Sequence, residues 1–449
     1  MRCFGGGSYL SSVSQSDLVG NDHLSIAGVD LVDLCKEYGT PLFVFDEERI
    51  KQNYLRFHRA FQTRYPRVIV SYSIKTNSNL AVCSVIREAG AYAEVASELD
   101  LQIALKAGFD PKNIILDGSY KPASLLREAL ERRIFQINVE SFTELERLNQ
   151  IAMELGKDQS IGIRVNLFKK SLFSSETMRC NPSSRFGFTF EDAYSALRTS
   201  TRLERLKVNG IMTHPYYGAV ERLLPFVKKV HDELGIEIQY LNFGGGFDSG
   251  VSYILGFRDL FKDFLRQKIG LKSNLDRESS TEDIEATGEA ITSQVRRFFG
   301  ELEPTIVLEP GRFIVGDAGI FLVSVDHIKE VEGHKWVMVD GGMNLLPVTE
   351  ERYLIKVANR VKSAEEELVN IAGPIPSSID VIAVKKWLPK ISEGDILAIL
   401  GCGAYSLSLS NQFLYPRPNV VMLRQGRKPA LVREAETVDY VLNQDKTIE

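Results

Sequence analysis

The chain has 449 residues, 44% of them hydrophobic and 25% charged, with a formal net charge of −5; this ordinary globular composition excludes general disorder and leaves room for two or more packed domains. No basic block offers the charge that neutralises nucleic-acid phosphates, and no apolar run approaches bilayer-crossing length, so nucleic acid and membrane are excluded as main partners and a soluble cytoplasmic protein is expected. Five scattered cysteines and six histidines lack the paired short spacings of zinc sites or disulfide frameworks, which predicts reduced thiols and no metal.

Between residues 68 and 311, short apolar runs rich in β-branched and aromatic residues alternate with longer segments of helical period. Eight runs qualify: 68–74, 92–97, 113–118, 134–139, 161–166, 208–214, 238–243 and 305–310. Between two of them, 142–155 sets Leu145, Leu148, Ala152 and Leu155 at helical spacing, with Glu144, Glu146 and Arg147 on a solvated face. Eight such units predict a closed (β/α)8 barrel, in which functional residues gather at the C-terminal strand ends. The stretch 268–290 is polar, carries Arg277, Glu278, Glu282 and Asp283, and shows no sustained apolar face, so it reads as a surface insertion or mobile loop. After Gly311 the rhythm changes to strands without long helices, at 319–328, 335–340, 378–385, 395–400 and 418–424, which predicts a mostly antiparallel β domain.

Set on this register, Lys75 ends the first run, His214 the sixth, Gly244-Gly245-Gly246 follows the seventh and Glu309 closes the eighth. A lone strand-end lysine reads as a solvated surface residue; behind an apolar, partly aromatic approach, desolvation instead favours the neutral amine that attacks an aldehyde. The glycine run is either a flexible turn or a loop whose amides approach a phosphate closely. Gly311 and Arg312 follow the eighth run, where Arg312 makes either a surface ion pair or a charge-assisted bond to that phosphate. Glu309 either caps a turn or keeps a pyridine nitrogen protonated, making the ring an electron sink that favours loss of CO2. His214 is either a core histidine or a flat ring stacked on a cofactor, and Cys402 is either a small buried residue or a catalytic thiol. An amine, an anion loop and a carboxylate beside a guanidinium are what pyridoxal 5'-phosphate (PLP) requires, which predicts a PLP enzyme acting on an amino acid.

Seven segments carry a family likeness: Tyr72–Asn77, Glu94–Ser97, Asn242–Phe247, Glu309–Arg312, Asp340–Met343, Gly373-Pro374 and Gly403–Tyr405. Together, over residues 25 to 445, the chain resembles the fold type III PLP-dependent decarboxylases, nearest the diaminopimelate decarboxylase branch, with ornithine and arginine decarboxylases as relatives. The resemblance implies an alanine-racemase-like PLP-binding barrel at 41–314 with the polar insertion near 268–290, a C-terminal β domain at 315–449, and an N-terminal segment, 1–40, contributing to the β domain. It also implies a homodimer with active sites at the subunit boundary. Carried over by position, Lys75 is similar to the Schiff-base lysine, His214 to the ring-stacking histidine and Glu309 to the pyridine-nitrogen partner. Gly244, Gly245, Gly246, Gly311 and Arg312 are similar to the phosphate site, and Tyr405 to the tyrosine that reaches the cofactor from the C-terminal domain.

The departures concern substrate. Where the family has Gly-Pro-x-Cys-Glu-Ser-x-Asp, this chain has Gly373–Asp380 with Pro376 at the position of the proton-donating cysteine and Ser377 at that of the glutamate. Leu345–Thr349 stands where the diaminopimelate branch has an Arg-Pro-x-x-Tyr run for the distal carboxylate, and Pro215-Tyr216-Tyr217 replaces the Gly-Ser pair after the stacking histidine. Cys402, Ser377 and a bound water are then the candidates for the acid that reprotonates Cα. The resemblance implies a diaminopimelate-decarboxylase-like, PLP-dependent α-decarboxylation of an amino acid, with decarboxylation of another amino acid of specialised metabolism, free or carrier-linked, or a non-catalytic PLP-binding relative as alternatives. A racemase is disfavoured, because racemases of this fold place an arginine, not a glutamate, at the ring nitrogen.

Overall fold

The computed structural model describes residues 22–167, 184–214, 220–249, 283–300, 304–347, 353–361 and 365–448, together with the short strand at Leu18–Val19. The chain divides into two compact units. One comprises Asn53–Phe247 and Asp283–Gly311; the other comprises the described residues up to Gln52, Asp248-Ser249 and those from Arg312 onward.

At the N-terminal side lie β1 (Leu18–Val19), β2 (His23–Ile26), β3 (Val29–Asp30) and, after the helix Leu31–Tyr38, β4 (Leu42–Asp46). Asp30 starts that helix by accepting from the amides of Val32 and Asp33, which would otherwise lack partners. The resemblance starts the barrel at residue 41, but the buried Leu42–Asp46 pairs with two strands of the second unit's sheet, so this run belongs to the β unit.

The first unit is a closed barrel of eight parallel strands in chain order: β5 (Val68–Ser73), β6 (Tyr92–Val95), β7 (Ile114–Leu116), β8 (Gln136–Val139), β9 (Gln159–Arg164), β10 (Leu206–Met212), β11 (Tyr240–Asn242) and β12 (Thr305–Leu308). β12 closes on β5 through Ile306 opposite Val68. Every run predicted as a barrel strand overlaps one, with β9 and β10 each beginning before its run. The helix expected at 142–155 is Phe142–Leu155, opened by Ser141 accepting from the Glu144 amide and ended by Gly156 in the left-handed region.

The predicted loop at 268–290 is corrected in part. Residues 268–282 lie outside the described residues, whereas 284–290 open the helix Ile284–Phe299, capped by Asp283 and burying Ile284, Gly288, Ile291, Thr292 and Val295. Its apolar face escapes notice because a glycine sits at the closest approach: a Cβ on Gly288 would lie 2.5 Å from the Ala60 carbonyl oxygen.

The second unit holds a nine-stranded sheet in the order β17-β16-β14-β13-β4-β19-β20, where β13 is Gly319–Val331, β14 His334–Val339, β16 Glu366–Ala372, β17 Val381–Pro389, β19 Val420–Leu423 and β20 Ala430–Arg433. β18 (Ile396–Leu400) also pairs with β13 and carries β15 (Leu354–Val357). Most pairs are antiparallel, with β14–β16 and β4–β19 parallel. Leu24, Leu31, Val44, Leu322, Ala398 and Val421 belong to its apolar core. The pattern missed β15, β16 and β20. Among the described residues no helix is long and apolar enough to cross a membrane.

Candidate active site

Lys75 sits on the single 3-10 turn Ile74–Thr76 that follows β5. Its Nζ donates to Glu94 Oε2 at 2.6 Å and to Ser73 Oγ at 2.7 Å, and Ser73 Oγ in turn donates to Glu94. Glu94 ends up beside the amine because β5 and β6 pair with Ser73 opposite Glu94. The expected apolar surround is thereby corrected: the lysine side chain is 48% exposed and its immediate partners are polar. Burial pushes the Glu94 carboxyl up, but the charge and hydrogen bond of Lys75, with the Ser73 hydroxyl, outweigh it and hold Glu94 below the ordinary carboxylate range. Glu94 is thereby the carboxylate partner of the lysine ammonium and fixes where Nζ sits.

Glu309, just past β12, is buried and meets a second carboxyl, that of Asp117 after β7. Asn242 Nδ2 donates to Glu309 Oε1 at 2.6 Å, and Asn138 Nδ2 donates to Asp117 Oδ1 at 2.7 Å. Burial, then the charges of Asp117 and Glu94, push the Glu309 carboxyl well above its ordinary value. Asp117 is pushed up by burial and by Glu94, with Arg164 opposing. Arg164 itself donates to Glu140 at 2.6 Å, so the site is edged by a balanced ion pair.

The glycine loop is held against the same groups. Asn242 uses its oxygen to accept from the Gly244 amide at 2.8 Å, and the Gly245 amide donates to His214 Nδ1 at 3.0 Å. With Nδ1 accepting, the neutral ring carries its hydrogen on Nε2. Gly244 has φ +65°, and a Cβ there would lie 2.6 Å from His214 Nδ1; one on Gly245 would lie 2.6 Å from the Glu309 carbonyl oxygen. Gly246 completes the loop, and Gly311 packs on Thr76, next to Lys75. Residues 215–217, the altered connection after the histidine, lie outside the described residues.

In the other unit Arg312 opens the short helix Arg312–Val315, with its guanidinium 5.2 Å from the Tyr405 ring centroid, within cation–π range. Cys402 is fully buried and its thiol donates to the Ile399 carbonyl oxygen at 3.3 Å, which favours the small buried residue over the catalytic thiol. Asp380 accepts from the amides of Met343 and Ile375 at 2.6 and 2.7 Å, tying the turn after β14 to the turn after β16. On the latter turn Pro376 is exposed and Ser377 half-buried, while Leu345 and Leu346 are buried.

Within the barrel unit Lys75, His214, Gly244, Gly245, Glu309 and Gly311 therefore form one connected site, to which the pattern added no role for Asp117 or Arg164. Glu94 and Asn242 stood only inside recognised segments. The available signal was a polar residue interrupting an apolar strand run, as in Ile114-Ile115-Leu116-Asp117. The residues present fit PLP: a lysine amine with a proton acceptor beside it, a buried carboxyl at a strand end, and a loop whose backbone a side chain would block.

Comparison with known proteins agrees. The family model for the pyridoxal-dependent decarboxylase, pyridoxal binding domain, matches residues 49–316. A diaminopimelate decarboxylase of Methanothermobacter thermautotrophicus is 36% identical over 441 residues, covering 95% of this chain and 96% of that protein. One of Aquifex aeolicus is 30% identical over 431 residues, 93% of this chain and 94% of that protein. The crystal structure of diaminopimelate decarboxylase from Methanocaldococcus jannaschii, 29% identical, matches with a TM-score of 0.83 over 96% of this chain and 97% of that one.

Proposed function

The chain belongs to the pyridoxal-dependent decarboxylases and is a PLP-dependent amino-acid carboxy-lyase, and from this we propose that its substrate is diaminopimelate and its product lysine. The near-complete match to curated diaminopimelate decarboxylases supports the substrate, as does a solved relative in co-complex with L-lysine, 29% identical. The observation that carries decarboxylation is Glu309, a buried carboxyl rather than a guanidinium at the end of the eighth barrel strand.

When bound, PLP supplies an aldehyde for the substrate amine and a sink for the electron pair left by CO2. Lys75 Nζ would be the amine that holds the cofactor between turnovers, with Glu94 as the carboxylate that orients it. Glu309 would be the partner that keeps the ring nitrogen protonated, and His214, fixed by the Gly245 amide, would be the flat ring that packs on the cofactor. Gly244, Gly245, Gly246 and Gly311, together with Arg312 and Tyr405, would be the residues that hold its phosphate. Ser377 or a water would be the favoured acid for Cα, since the Cys402 thiol donates to Ile399. The active form is a cytoplasmic homodimer; exposed Leu409, Phe413, Leu414 and Tyr415 on the β unit support such a contact.

Leu345 and Leu346, buried where a distal-carboxylate grip is expected, favour a second reading in which the substrate lacks that carboxylate or carries it on another group. Mass spectrometry of products from PLP-loaded protein with meso-diaminopimelate, lysine, ornithine, arginine and glutamate separates the two. Lysine from diaminopimelate establishes the first reading, and another amine names the second. No product with PLP firmly bound points to a non-catalytic relative.

A further inference from the structure

Two buried carboxyls in hydrogen-bond contact cannot both be ionised without a large electrostatic cost, so such a pair retains one proton between them. Glu309 and Asp117 are such a pair, and their surroundings fix how the proton is held. Each is anchored by a separate amide donor, Asn242 for Glu309 and Asn138 for Asp117. Both donors come from neighbouring strand positions inside the barrel unit, so neither carboxyl can swing away. The remaining charged groups acting on the pair are Glu94, which disfavours a second negative charge, and Arg164, which favours one. Lys75 and His214 act on Glu94 in turn. Arg164 is itself committed to Glu140 at 2.6 Å, so its charge does not neutralise Asp117 outright.

We propose that Asp117 is a positioning residue that shares one proton with Glu309, so that the carboxyl pair, not solvent, supplies the proton carried by the cofactor's ring nitrogen. This rests on Glu309 being the ring-nitrogen partner. The step balances: the O–H bond of the pair breaks, an N–H bond forms on the ring nitrogen, the pair goes from one negative charge to two, and the ring gains one positive charge. Asp117 thereby serves twice. Before the cofactor arrives it keeps Glu309 protonated, and afterwards its charge adds to that of Glu309 in holding the pyridinium proton. Glu309 alone would do both less well.

The test begins with cofactor-free protein, where infrared titration follows the carbonyl stretch of a protonated carboxyl. In the parent protein this band persists above the ordinary carboxylate range. In Asp117→Asn it disappears at lower pH, a loss of about tenfold or more in proton affinity. In Asn138→Ala, which removes the donor that favours the Asp117 anion, it persists to higher pH. Opposite shifts in two folded variants are not produced by general loosening of the barrel. Calorimetry of PLP binding in buffers of different ionisation enthalpy then counts protons: Asp117→Asn takes up more from buffer than the parent does. A band indifferent to both substitutions, or equal proton uptake, overturns the shared proton. If the band shifts as stated but PLP does not discharge it, Glu309 is not the ring-nitrogen partner, and the transfer step falls with that reading.

Discussion

The strand ends of the barrel and the turns of the β unit are both dense in recognised segments, yet they are built by opposite means. At the barrel, Lys75 pairs with Glu94 and Asp117 pairs with Glu309, two sets of titratable groups, and neutral amides from Asn242 and Asn138 lock the second pair. In the β unit, Asp380 grips two turns through backbone amides, and the positions around it are the apolar Leu345, Leu346 and Ile375 with the exposed Pro376. The difference teaches where selection for chemistry is visible. The barrel strand ends carry interlocking titratable side chains, whereas the turns around Asp380 are held by backbone amides donating to one carboxylate.

This contrast can be broken by substitution. The largest effect is expected from Gly244→Ala, whose Cβ would meet His214 Nδ1 and Thr213 O at 2.6 and 2.8 Å on a backbone with φ +65°. Strain of roughly 1–3 kcal/mol spent in the loop should weaken PLP binding by up to about a hundredfold, measured by fluorescence titration, with little change in melting temperature. Asp380→Ala should do the reverse. Losing the acceptor for two amides should cost about 2 kcal/mol in denaturant unfolding and leave PLP affinity nearly unchanged.

Next comes Glu94→Gln, expected to cost roughly 1.5 kcal/mol at neutral pH, a modest figure because Lys75 is half exposed. Its sign with pH is fixed. Glu94 is held below its ordinary value when folded, so its contribution is complete above about pH 4.3 and is lost as pH falls through the folded value. The stability gap between parent and Glu94→Gln should therefore close on acidification, and a gap independent of pH would show that Glu94 is not ionised against Lys75. The smallest effect belongs to Cys402→Ala, at about 1 kcal/mol of stability with turnover unchanged; a large loss of turnover would return the thiol to the chemistry.

What was legible in the sequence follows the same divide. The barrel strands announced themselves as β-branched runs with polar residues at their ends, and those ends located Lys75, His214 and Glu309. Asp117 and Arg164 stayed silent because their roles come from neighbours in space: Asp117 meets Glu309 only when the barrel closes, and Arg164 meets Glu140 only across β8 and β9. Leu42–Asp46 fell inside the barrel bounds implied by the resemblance, and an apolar five-residue run does not itself say which sheet will take it. The helix Ile284–Phe299 was obscured by Gly288 and Thr292 occupying its buried face.

The central claim is that Lys75 is the amine that holds the cofactor. Borohydride reduction of the PLP-loaded protein, followed by peptide mass mapping, tests it most directly. The account predicts a single reduced pyridoxyl adduct on the peptide containing Lys75 and none in Lys75→Ala. An adduct on a different lysine in the parent protein, or an undiminished yield in Lys75→Ala, would contradict it.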